Sequence, residues 1–323
     1  MKKVLLTNHY SGLPLEIVQE SLRGKFELIS LNELTREELI SKIPEADYLL
    51  VSGRMIISEE ILKYAKKLKM VQRTGVGLDN IDLPFLKEIG LPLYVNQGVN
   101  SQSVAEHALL LILASLRKLT IANEKTKCGI WEKHSFGVTT HELSGKEIGL
   151  IGFGNIAKKL SLLLQPFDVK IRYYDAKRLS NSEEKRYNVT FSELDDLLSC
   201  SDIISLHCPL TDNTRHIINN ESIKLIKKGA ILINTARGGL IDSNDLADAL
   251  ISGKLSFAAL DVHEEEPISN DYILCKIDNV ILTPHIAGVT YDSFRKMIYE
   301  AVSNIEEFDK GNFEKIKNNL YVY

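Results

Sequence analysis

Short apolar runs alternate with helical patterns along the whole chain, and this alternation restricts the fold more than any other feature. The runs form two series, separated by a long helical stretch at 100–119. Runs that are apolar throughout are typical of parallel strands whose two faces are both covered by helices. Two such series predict two doubly wound α/β domains, each built on a parallel sheet. The first series is 4–7, 26–29, 47–51, 70–74 and 92–95; the second is 147–153, 169–175, 202–207, 230–235, 257–262 and 280–283.

The helical stretches give two local predictions. Ser103 and Glu106 have the S-x-x-E spacing of a capping box, which predicts the start of the helix at 100–119. After the last apolar run, residues 291–308 repeat apolar side chains at helical spacing. No further strand is predicted beyond it, and this tail is expected to pack back on the first domain.

Composition excludes several classes of function. The 323 residues fit about two domains, and the formal net charge of −4 lacks the basic excess of a nucleic-acid-binding protein. The most apolar stretch, 108–116, is shorter than the roughly 20 residues of a membrane-spanning helix. The four cysteines lack zinc-site spacing, and the histidines form no ligand cluster. We expect a cytoplasmic protein with reduced thiols and no metal, acting on neither nucleic acid nor membrane.

A glycine-rich turn follows the first strand of the second series and precedes a helix. Gly152 permits the tight turn, and Gly154 lets backbone N–H groups approach a pyrophosphate at the positive end of that helix. Asn155 and Ile156 open the helix and belong to the same predicted cofactor site. Asp175, at the end of the next strand, is placed to accept hydrogen bonds from ribose hydroxyls and to repel a 2′-phosphate. NAD is therefore favoured over NADP, although two basic residues follow the aspartate closely.

Three further strand ends carry the groups that an alcohol oxidation needs. Such a reaction requires a base for the hydroxyl proton, a cation that holds the substrate and a group that tunes the base. Arg237, the glutamates of 261–267 and His285 follow three strands of the second series. In an open α/β sheet, functional groups collect at these carboxyl ends. The planar guanidinium of Arg237 suits a bidentate grip on a carboxylate.

The chain resembles the NAD-dependent D-2-hydroxyacid dehydrogenases over nearly its full length. The resemblance implies that Arg237, Glu266 and His285 are catalytic. His285 would exchange a proton with the substrate, while Glu266 would hydrogen-bond to the imidazole and favour its charged form. The motifs that carry the resemblance are TGVGLDNID (74–82), VAEH (104–107), GLIGFGNIA (149–157), NTARG (234–238), DVHEEEP (261–267) and TPHIAG (283–288).

The resemblance also implies an organisation for the whole chain. A Rossmann NAD-binding domain at 99–288 would be inserted into a discontinuous, flavodoxin-like substrate-binding domain formed by 1–98 and 289–323. Asp261 would hold the nicotinamide amide, with a plain strand-end cap as the alternative, and Thr235 would belong to the cofactor-binding residues. A homodimer is the expected assembly.

Two loops of the first domain are candidates for substrate binding. The backbone N–H groups of Val76 and Gly77 would form an anion nest for a carboxylate, with a plain βα turn as the alternative. Arg54 lies in a Ser-x-Arg stretch similar to one in glyoxylate and hydroxypyruvate reductases. Phosphoglycerate dehydrogenases tend to carry an arginine directly after the strand, where this chain has Ser52. That difference disfavours a phosphorylated substrate, although Arg54 is close by.

Several other residues have competing interpretations. Trp131 is either a buried anchor or, as in the reductase branch, a residue that reaches the active site of a partner subunit. His107 is expected to serve in packing. Glu264 and Glu265 are expected to be solvated neighbours of Glu266.

These observations predict an NAD(H)-dependent D-2-hydroxyacid dehydrogenase. It would transfer hydride reversibly between nicotinamide and a small 2-keto or 2-hydroxy acid, with a glyoxylate-like or hydroxypyruvate-like acid favoured. One alternative is a D-3-phosphoglycerate dehydrogenase, many of which append a regulatory domain for which a chain ending at residue 323 leaves no room. An alternative of another class is an NAD(H)-sensing corepressor.

Overall fold

The computed structural model describes residues 1–53 and 55–322, and the chain forms two compact units. The discontinuous unit comprises Met1–Asn100 and Tyr291–Tyr323, and the inserted unit comprises Ser101–Thr290. The junctions fall after Asn100 and Thr290, against expected positions after 98 and 288. Each junction coincides with the start of a long helix.

Most strands are shorter than the apolar runs that predicted them; the strands at Lys3–Leu6 and Leu255–Leu260 are as long as their runs but begin one and two residues earlier, and no run predicted the strand at Thr190–Phe191. Turn-forming or polar residues at the ends of the runs lie outside the ladders. In chain order the strands are β1 (Lys3–Leu6), β2 (Glu27–Ile29), β3 (Tyr48–Val51), β4 (Met70–Arg73), β5 (Leu93–Tyr94), β6 (Glu147–Ile151), β7 (Lys170–Tyr174), β8 (Thr190–Phe191), β9 (Ile203–Leu206), β10 (Ala230–Asn234), β11 (Leu255–Leu260), β12 (Val280–Leu282) and β13 (Leu320–Val322).

Helices connect most of the strands. Over the described part of the chain, no helix is long and apolar enough to cross a membrane. In chain order the α-helices are α1 (Leu13–Leu22), α2 (Arg36–Lys42), α3 (Glu59–Leu62), α4 (Leu83–Glu88), α5 (Ser101–Leu116), α6 (Leu119–Lys127), α7 (Lys133–Thr139), α8 (Asn155–Leu164), α9 (Asn181–Tyr187), α10 (Leu194–Cys200), α11 (Asn220–Leu225), α12 (Ser243–Ile251), α13 (Tyr291–Asp309) and α14 (Phe313–Ile316). Short 3-10 turns occupy Ile43–Glu45, Gln165–Phe167, Gly238–Leu240, Ile273–Lys276 and Lys317–Asn319.

The inserted unit is a doubly wound parallel sheet. Its strand order is β12-β11-β10-β9-β6-β7-β8, and every pair is parallel. The chain runs outward from β6 to β8 and then returns to β9, which creates a switch point between β6 and β9. In open α/β sheets, ligands bind at the carboxyl ends of the strands beside such a point. The predicted Rossmann architecture is confirmed.

Both faces of this sheet are buried because successive side chains of a strand point to opposite sides. Along β10, Ile231 and Ile233 join one apolar cluster with α5 and α8, whereas Leu232 joins a second cluster on the other face. All five residues of β10 are buried. Burial of each such apolar side chain contributes about 1.5–3 kcal/mol, which explains why the strand is apolar up to Asn234, its last residue.

The discontinuous unit has the strand order β13-β5-β4-β3-β1-β2, the flavodoxin-like arrangement that was predicted, with one addition. The tail helix α13 packs on this unit as expected, through buried residues that include Ile298, Val302 and Ile305. The expectation that no strand follows is wrong, because β13 pairs antiparallel with β5 at the sheet edge. β13 has three residues and pairs with one strand, so its sequence carries too little periodic pattern to be recognised.

The capping-box prediction is also wrong. Helix α5 begins at Ser101, so Ser103 lies inside its first turn. The Ser103 hydroxyl is 3.1 Å from the Thr290 hydroxyl, and Glu106 accepts a hydrogen bond from Gln102. The S-x-x-E spacing therefore serves contacts of the helix surface rather than its N-terminus.

Candidate active site

The glycine turn lies at the switch point of the inserted unit. Gly152 has φ +88°, and a Cβ there would lie 2.5 Å from the backbone nitrogen of Cys208, which follows β9. Both the backbone conformation and the close approach of the two loops therefore require glycine. Helix α8 begins at Asn155, and no side chain caps it. A Cβ at Gly154 would meet nothing within 4 Å, so the space beside this helix N-terminus is open.

Asp175 borders the same turn, as predicted. One of its carboxylate oxygens accepts the backbone N–H of Phe153 at 2.7 Å, and the other accepts that of Lys177 at 3.0 Å. Each carboxylate oxygen has a second lone pair that can accept a further hydrogen bond. The aspartate thus supports the glycine turn and keeps acceptor capacity for a ribose.

Thr235 provides a test of whether the site fits a dinucleotide. It lies directly after β10, and its buried Oγ1 has no hydrogen-bond partner among the described residues. Buried hydroxyls are nearly always hydrogen-bonded, so one without a partner indicates a missing ligand or water. Together with the open, uncapped helix N-terminus and Asp175, this orphan hydroxyl shows that the residues present fit NAD.

The three predicted catalytic residues lie at the ends of adjacent strands. β10, β11 and β12 are hydrogen-bonded neighbours, and they lead into Arg237, Glu266 and His285 respectively. Arg237 is half-buried, and its Nη1 donates to the Ala236 carbonyl at 2.7 Å. The Asn234 side chain donates to the Arg237 carbonyl at 2.8 Å. The strand end and these bonds fix the backbone that carries the guanidinium.

Glu266 and His285 form a direct pair. His285 Nδ1 lies 2.9 Å and 3.2 Å from the two Glu266 oxygens, and the backbone N–H of His263 donates to the same carboxylate at 3.0 Å. The Glu266 side chain is 17% exposed and that of His285 is 43% exposed. His285 has φ +58°, a conformation that non-glycine residues hold only when their surroundings enforce it. With Nδ1 engaged, Nε2 is the nitrogen that can exchange a proton with a ligand.

Asp261 organises the loop that carries this histidine. Its fully buried carboxylate accepts hydrogen bonds from the Thr283 hydroxyl (2.6 Å) and from the backbone N–H groups of Ile286 (2.9 Å) and Ala287 (2.7 Å). His107 Nε2 is 3.6 Å from Asp261 and 3.3 Å from the Thr283 hydroxyl. His107 was expected to serve in packing. Its ring lies against Asp261 and the Thr283 hydroxyl, the polar groups that hold this loop.

Sequence reasoning missed the residues that bring the loops together. A Cβ at Gly238 would lie 2.0 Å from the carbonyl carbon of His263, so the loop after Arg237 packs directly on the backbone before Glu266. The buried His263 ring reaches the Thr283 carbonyl at 3.1 Å, which ties the loop after β11 to the loop after β12. The only sequence signal for this packing is the glycine that follows the arginine.

The candidate substrate turn lies in the discontinuous unit. Val76 is exposed, and the N–H groups of Val76 and Gly77 have no protein acceptor among the described residues. Arg73 donates to the Gly77 carbonyl at 3.1 Å and to the Gly53 carbonyl at 2.9 Å, which braces the turn. Arg54, the other predicted substrate residue of this unit, lies outside the described residues.

Ser52 is held inside the discontinuous unit. It is buried, its backbone exchanges two hydrogen bonds of 3.1 Å with the Thr7 hydroxyl, and its own hydroxyl contacts the Tyr10 hydroxyl. The position directly after β3 is therefore occupied by an uncharged, fully engaged side chain.

Two sequence interpretations need correction. Glu264 is not merely a solvated neighbour, because it accepts hydrogen bonds from His216 Nε2 at 2.7 Å and from the Ser243 hydroxyl at 3.0 Å. These partners lie far away in sequence and carry no pattern that links them to the glutamate. Trp131 is 81% exposed, so the buried-anchor interpretation is wrong for the single chain.

Comparison with known proteins agrees with this geometry. Residues 109–287 match the family model described as "D-isomer specific 2-hydroxyacid dehydrogenase, NAD binding domain". Hydroxypyruvate reductase from Thermotoga maritima is 42% identical over 287 residues, covering 88% of this chain and 92% of the relative. Glyoxylate reductase from Thermofilum pendens is 41% identical over 279 residues, covering 86% and 82%.

A solved structure extends the similarity to the whole chain. The crystal structure of D-lactate dehydrogenase from Aquifex aeolicus, complexed with NAD and lactic acid, is 31% identical and covers 100% of this chain and 99% of that one, with a TM-score of 0.86. The predicted cofactor and reaction class are thereby confirmed. The chain belongs to the D-isomer-specific 2-hydroxyacid dehydrogenase family, and it is an NAD-dependent oxidoreductase.

Proposed function

We propose that this enzyme reduces a small 2-keto acid of the glyoxylate or hydroxypyruvate type to the D-2-hydroxy acid, with the reverse oxidation available. The observation that carries the proposal is the hydrogen-bonded Glu266–His285 pair at a strand end beside Arg237. The similarity to a hydroxypyruvate reductase and a glyoxylate reductase over most of their length supports the choice of acid.

The three groups have separate roles in the proposed mechanism. In reduction, His285 Nε2 donates its proton to the carbonyl oxygen as negative charge develops there. Glu266 holds Nδ1, so the ring keeps its orientation and presents Nε2 for the transfer. Arg237 grips the carboxylate of the substrate through its planar fork and fixes the carbonyl relative to the histidine. In oxidation the same nitrogen accepts the hydroxyl proton.

NAD(H) supplies or accepts the hydride when it is bound. The fit of this cofactor rests on the orphan Thr235 hydroxyl and the uncapped start of α8. We propose that the cofactor-binding residues are Gly152, Gly154, Asn155, Ile156, Asp175, Thr235 and Asp261. Of these, Asp261 is fully buried and already accepts three hydrogen bonds from the protein, so it acts on the cofactor site by holding the loop that follows β12.

The discontinuous unit is proposed to bind substrate through Val76, Gly77 and Arg54. The free N–H groups of the first two residues support an anion nest for a carboxylate. The buried, uncharged Ser52 supports a small acid over a phosphorylated one, because phosphate is bound through cationic side chains and this position supplies none.

The test is NADH oxidation by the purified protein with glyoxylate, hydroxypyruvate, phosphohydroxypyruvate and pyruvate, and with NADPH in parallel. We expect the highest kcat/KM with glyoxylate or hydroxypyruvate and NADH. A clear preference for phosphohydroxypyruvate would refute the proposed substrate and favour phosphoglycerate dehydrogenase activity.

The catalytic assignment is tested by His285→Ala. We expect turnover to fall by about 10³-fold or more, since a positioned acid contributes about 10²–10⁴-fold, while NADH binding is retained. Fluorescence titration with NADH measures the binding. His141→Ala, which removes an exposed histidine of the same unit, is the control. Equal loss of NADH binding and turnover would mean that His285 is structural.

We further propose that the enzyme is a cytoplasmic homodimer. Helices α6 and α7 have no buried residue, and they carry or flank the exposed apolar side chains of Leu119, Ile130, Trp131 and Val138. Helices without a buried face are stabilised by packing against something else, and a second copy of the chain would supply that surface. The four cysteines are free, in keeping with a reducing compartment. Light scattering on the purified protein tests the dimer, and a monomer at micromolar concentration would refute it.

A further inference from the structure

A second polar cluster engages the loop that carries Glu266. Two residues earlier, Glu264 accepts hydrogen bonds from His216 Nε2 at 2.7 Å and from the Ser243 hydroxyl at 3.0 Å. The Ser243 hydroxyl is also 3.1 Å from the Tyr272 hydroxyl. Ser243 is the first residue of α12, so the cluster fastens the loop to the start of a helix.

His216 connects this cluster to the arginine loop as well. Its backbone has φ +49°, and its N–H donates to the Gly239 carbonyl at 2.8 Å, two residues after Arg237. Its Nδ1 lies 3.7 Å from an Asp242 oxygen, so the ring sits between two carboxylates. The imidazole therefore links the loop after β10 to the loop after β11.

We infer that Glu264 is a positioning residue that acts through Glu266. Anchored by His216 and Ser243, it holds the loop so that the Glu266 carboxylate meets His285 Nδ1. The inference rests on the proposed roles of Glu266 and His285. It goes beyond those roles because it assigns a function to Glu264, whose hydrogen-bond partners are His216 and Ser243 rather than either of these two residues.

The exposure of the cluster separates positioning from simple stabilisation. The side chains of His216 and Glu264 are 34% and 36% exposed. Ion pairs with that much solvent contact contribute little to the free energy of unfolding. A reacting group, in contrast, loses up to about a hundredfold in rate when it is misplaced by about 1 Å. Loss of Glu264 should therefore reduce catalysis more than stability.

The chain offers a matched control for the experiment. Glu265 is exposed and, within the described residues, has no hydrogen-bond or ion-pair partner. We expect Glu264→Ala to lower kcat by about tenfold or more, by misplacement of Glu266, with the KM for NADH unchanged. Glu265→Ala should match the wild type, and Glu264→Gln, which keeps the length and one acceptor oxygen, should recover most of the activity.

Two further readouts distinguish positioning from a structural role. The loss in Glu264→Ala should fall on kcat, with the KM for the keto acid nearly unchanged, because a loosened Glu266 misplaces His285 without altering how Arg237 holds the substrate. The losses of kcat caused by His216→Ala and by Glu264→Ala should not add up in the double variant, since both changes remove the same hydrogen bond. The thermal midpoint should change little.

Three outcomes would overturn the inference. They are wild-type kcat in Glu264→Ala, equal losses in the alanine variants of Glu264 and Glu265, or a loss that follows the thermal midpoint and appears in KM as much as in kcat. Glu266→Gln is run beside them. Wild-type activity in that variant would refute the proposed role of Glu266 itself, whatever Glu264 does.

Discussion

Gly238→Ala is the change whose consequence follows most directly from the geometry of the site. A Cβ at this position would lie 2.0 Å from the His263 carbonyl carbon, 2.2 Å from its oxygen and 2.3 Å from the Glu264 nitrogen. All three atoms are backbone, so no side chain can rotate away. Ordinary van der Waals contact needs about 3.5–4 Å between carbon atoms, and the two loops would have to separate by more than 1 Å.

Both stability and catalysis should respond to that separation. Overpacking of a well-packed interior typically destabilises by about 1–3 kcal/mol, and a clash with backbone belongs at the upper end. The same movement takes Arg237 away from the loop that carries Glu266. A misplacement of about 1 Å can lower kcat/KM by about a hundredfold, which corresponds to about 2.7 kcal/mol of transition-state stabilisation.

The neighbouring glycine gives the control. A Cβ at Gly239 would meet only side-chain atoms, the nearest being Cδ2 of Leu210 at 3.1 Å, which can shift by a few tenths of an ångström. Denaturant unfolding and steady-state kinetics of both alanine variants make the comparison. We expect a large loss of both the free energy of unfolding and kcat/KM in Gly238→Ala, and a small loss of both in Gly239→Ala. Equal effects, or wild-type behaviour of Gly238→Ala, would refute the reasoning that the loop contact positions the arginine.

Two further predictions concern buried polar groups. Burial lowers the pKa of His207 from 6.5 to about 4, so between these values the unfolded chain binds a proton that the folded chain excludes. The free energy of unfolding should therefore fall as pH drops from about 6.5 to about 4, by up to about 3 kcal/mol. Urea unfolding across this range should show a weaker pH dependence in His207→Asn, and an unchanged dependence would contradict the prediction. In Asp261→Asn, an amide N–H₂ group replaces one of the two carboxylate oxygens. The new donor then faces a hydroxyl or backbone N–H group that donated to the oxygen in the wild type. We expect a loss of about 2–3 kcal/mol in the free energy of unfolding together with low kcat, whereas the exposed Asp248→Asn should change neither.

Most of the architecture could be predicted because it depends on local composition. The strand β10 reads as AILIN, and each of its residues is buried between two layers of helices, so the apolar run of its first four residues identifies it. β13 has only one neighbour and no buried residue, so its three residues carry no comparable signal. The start of α5 was misplaced because Ser103 and Glu106 have capping-box spacing, yet both face other partners.

The site could be predicted only in part, for a related reason. Gly152 and Asp175 form a spaced pattern whose function follows from local geometry, and the structure places them side by side. The packing of Gly238 on His263 joins two loops that follow different strands. Nothing within either segment specifies that contact, because it depends on the order of β10 and β11 in the sheet.

The run of three glutamates shows what separates chemically identical neighbours. Glu266 accepts hydrogen bonds from His285 and the His263 backbone, Glu264 accepts them from His216 and Ser243, and Glu265 faces solvent. Their intrinsic chemistry is the same, so their different functions come entirely from what the fold brings to each carboxylate. Charge patterning predicts a solvated turn for all three. If Glu264 positions Glu266, the first glutamate is fastened to the scaffold so that the third can be aimed at the histidine, and only the middle one can be replaced without effect on turnover.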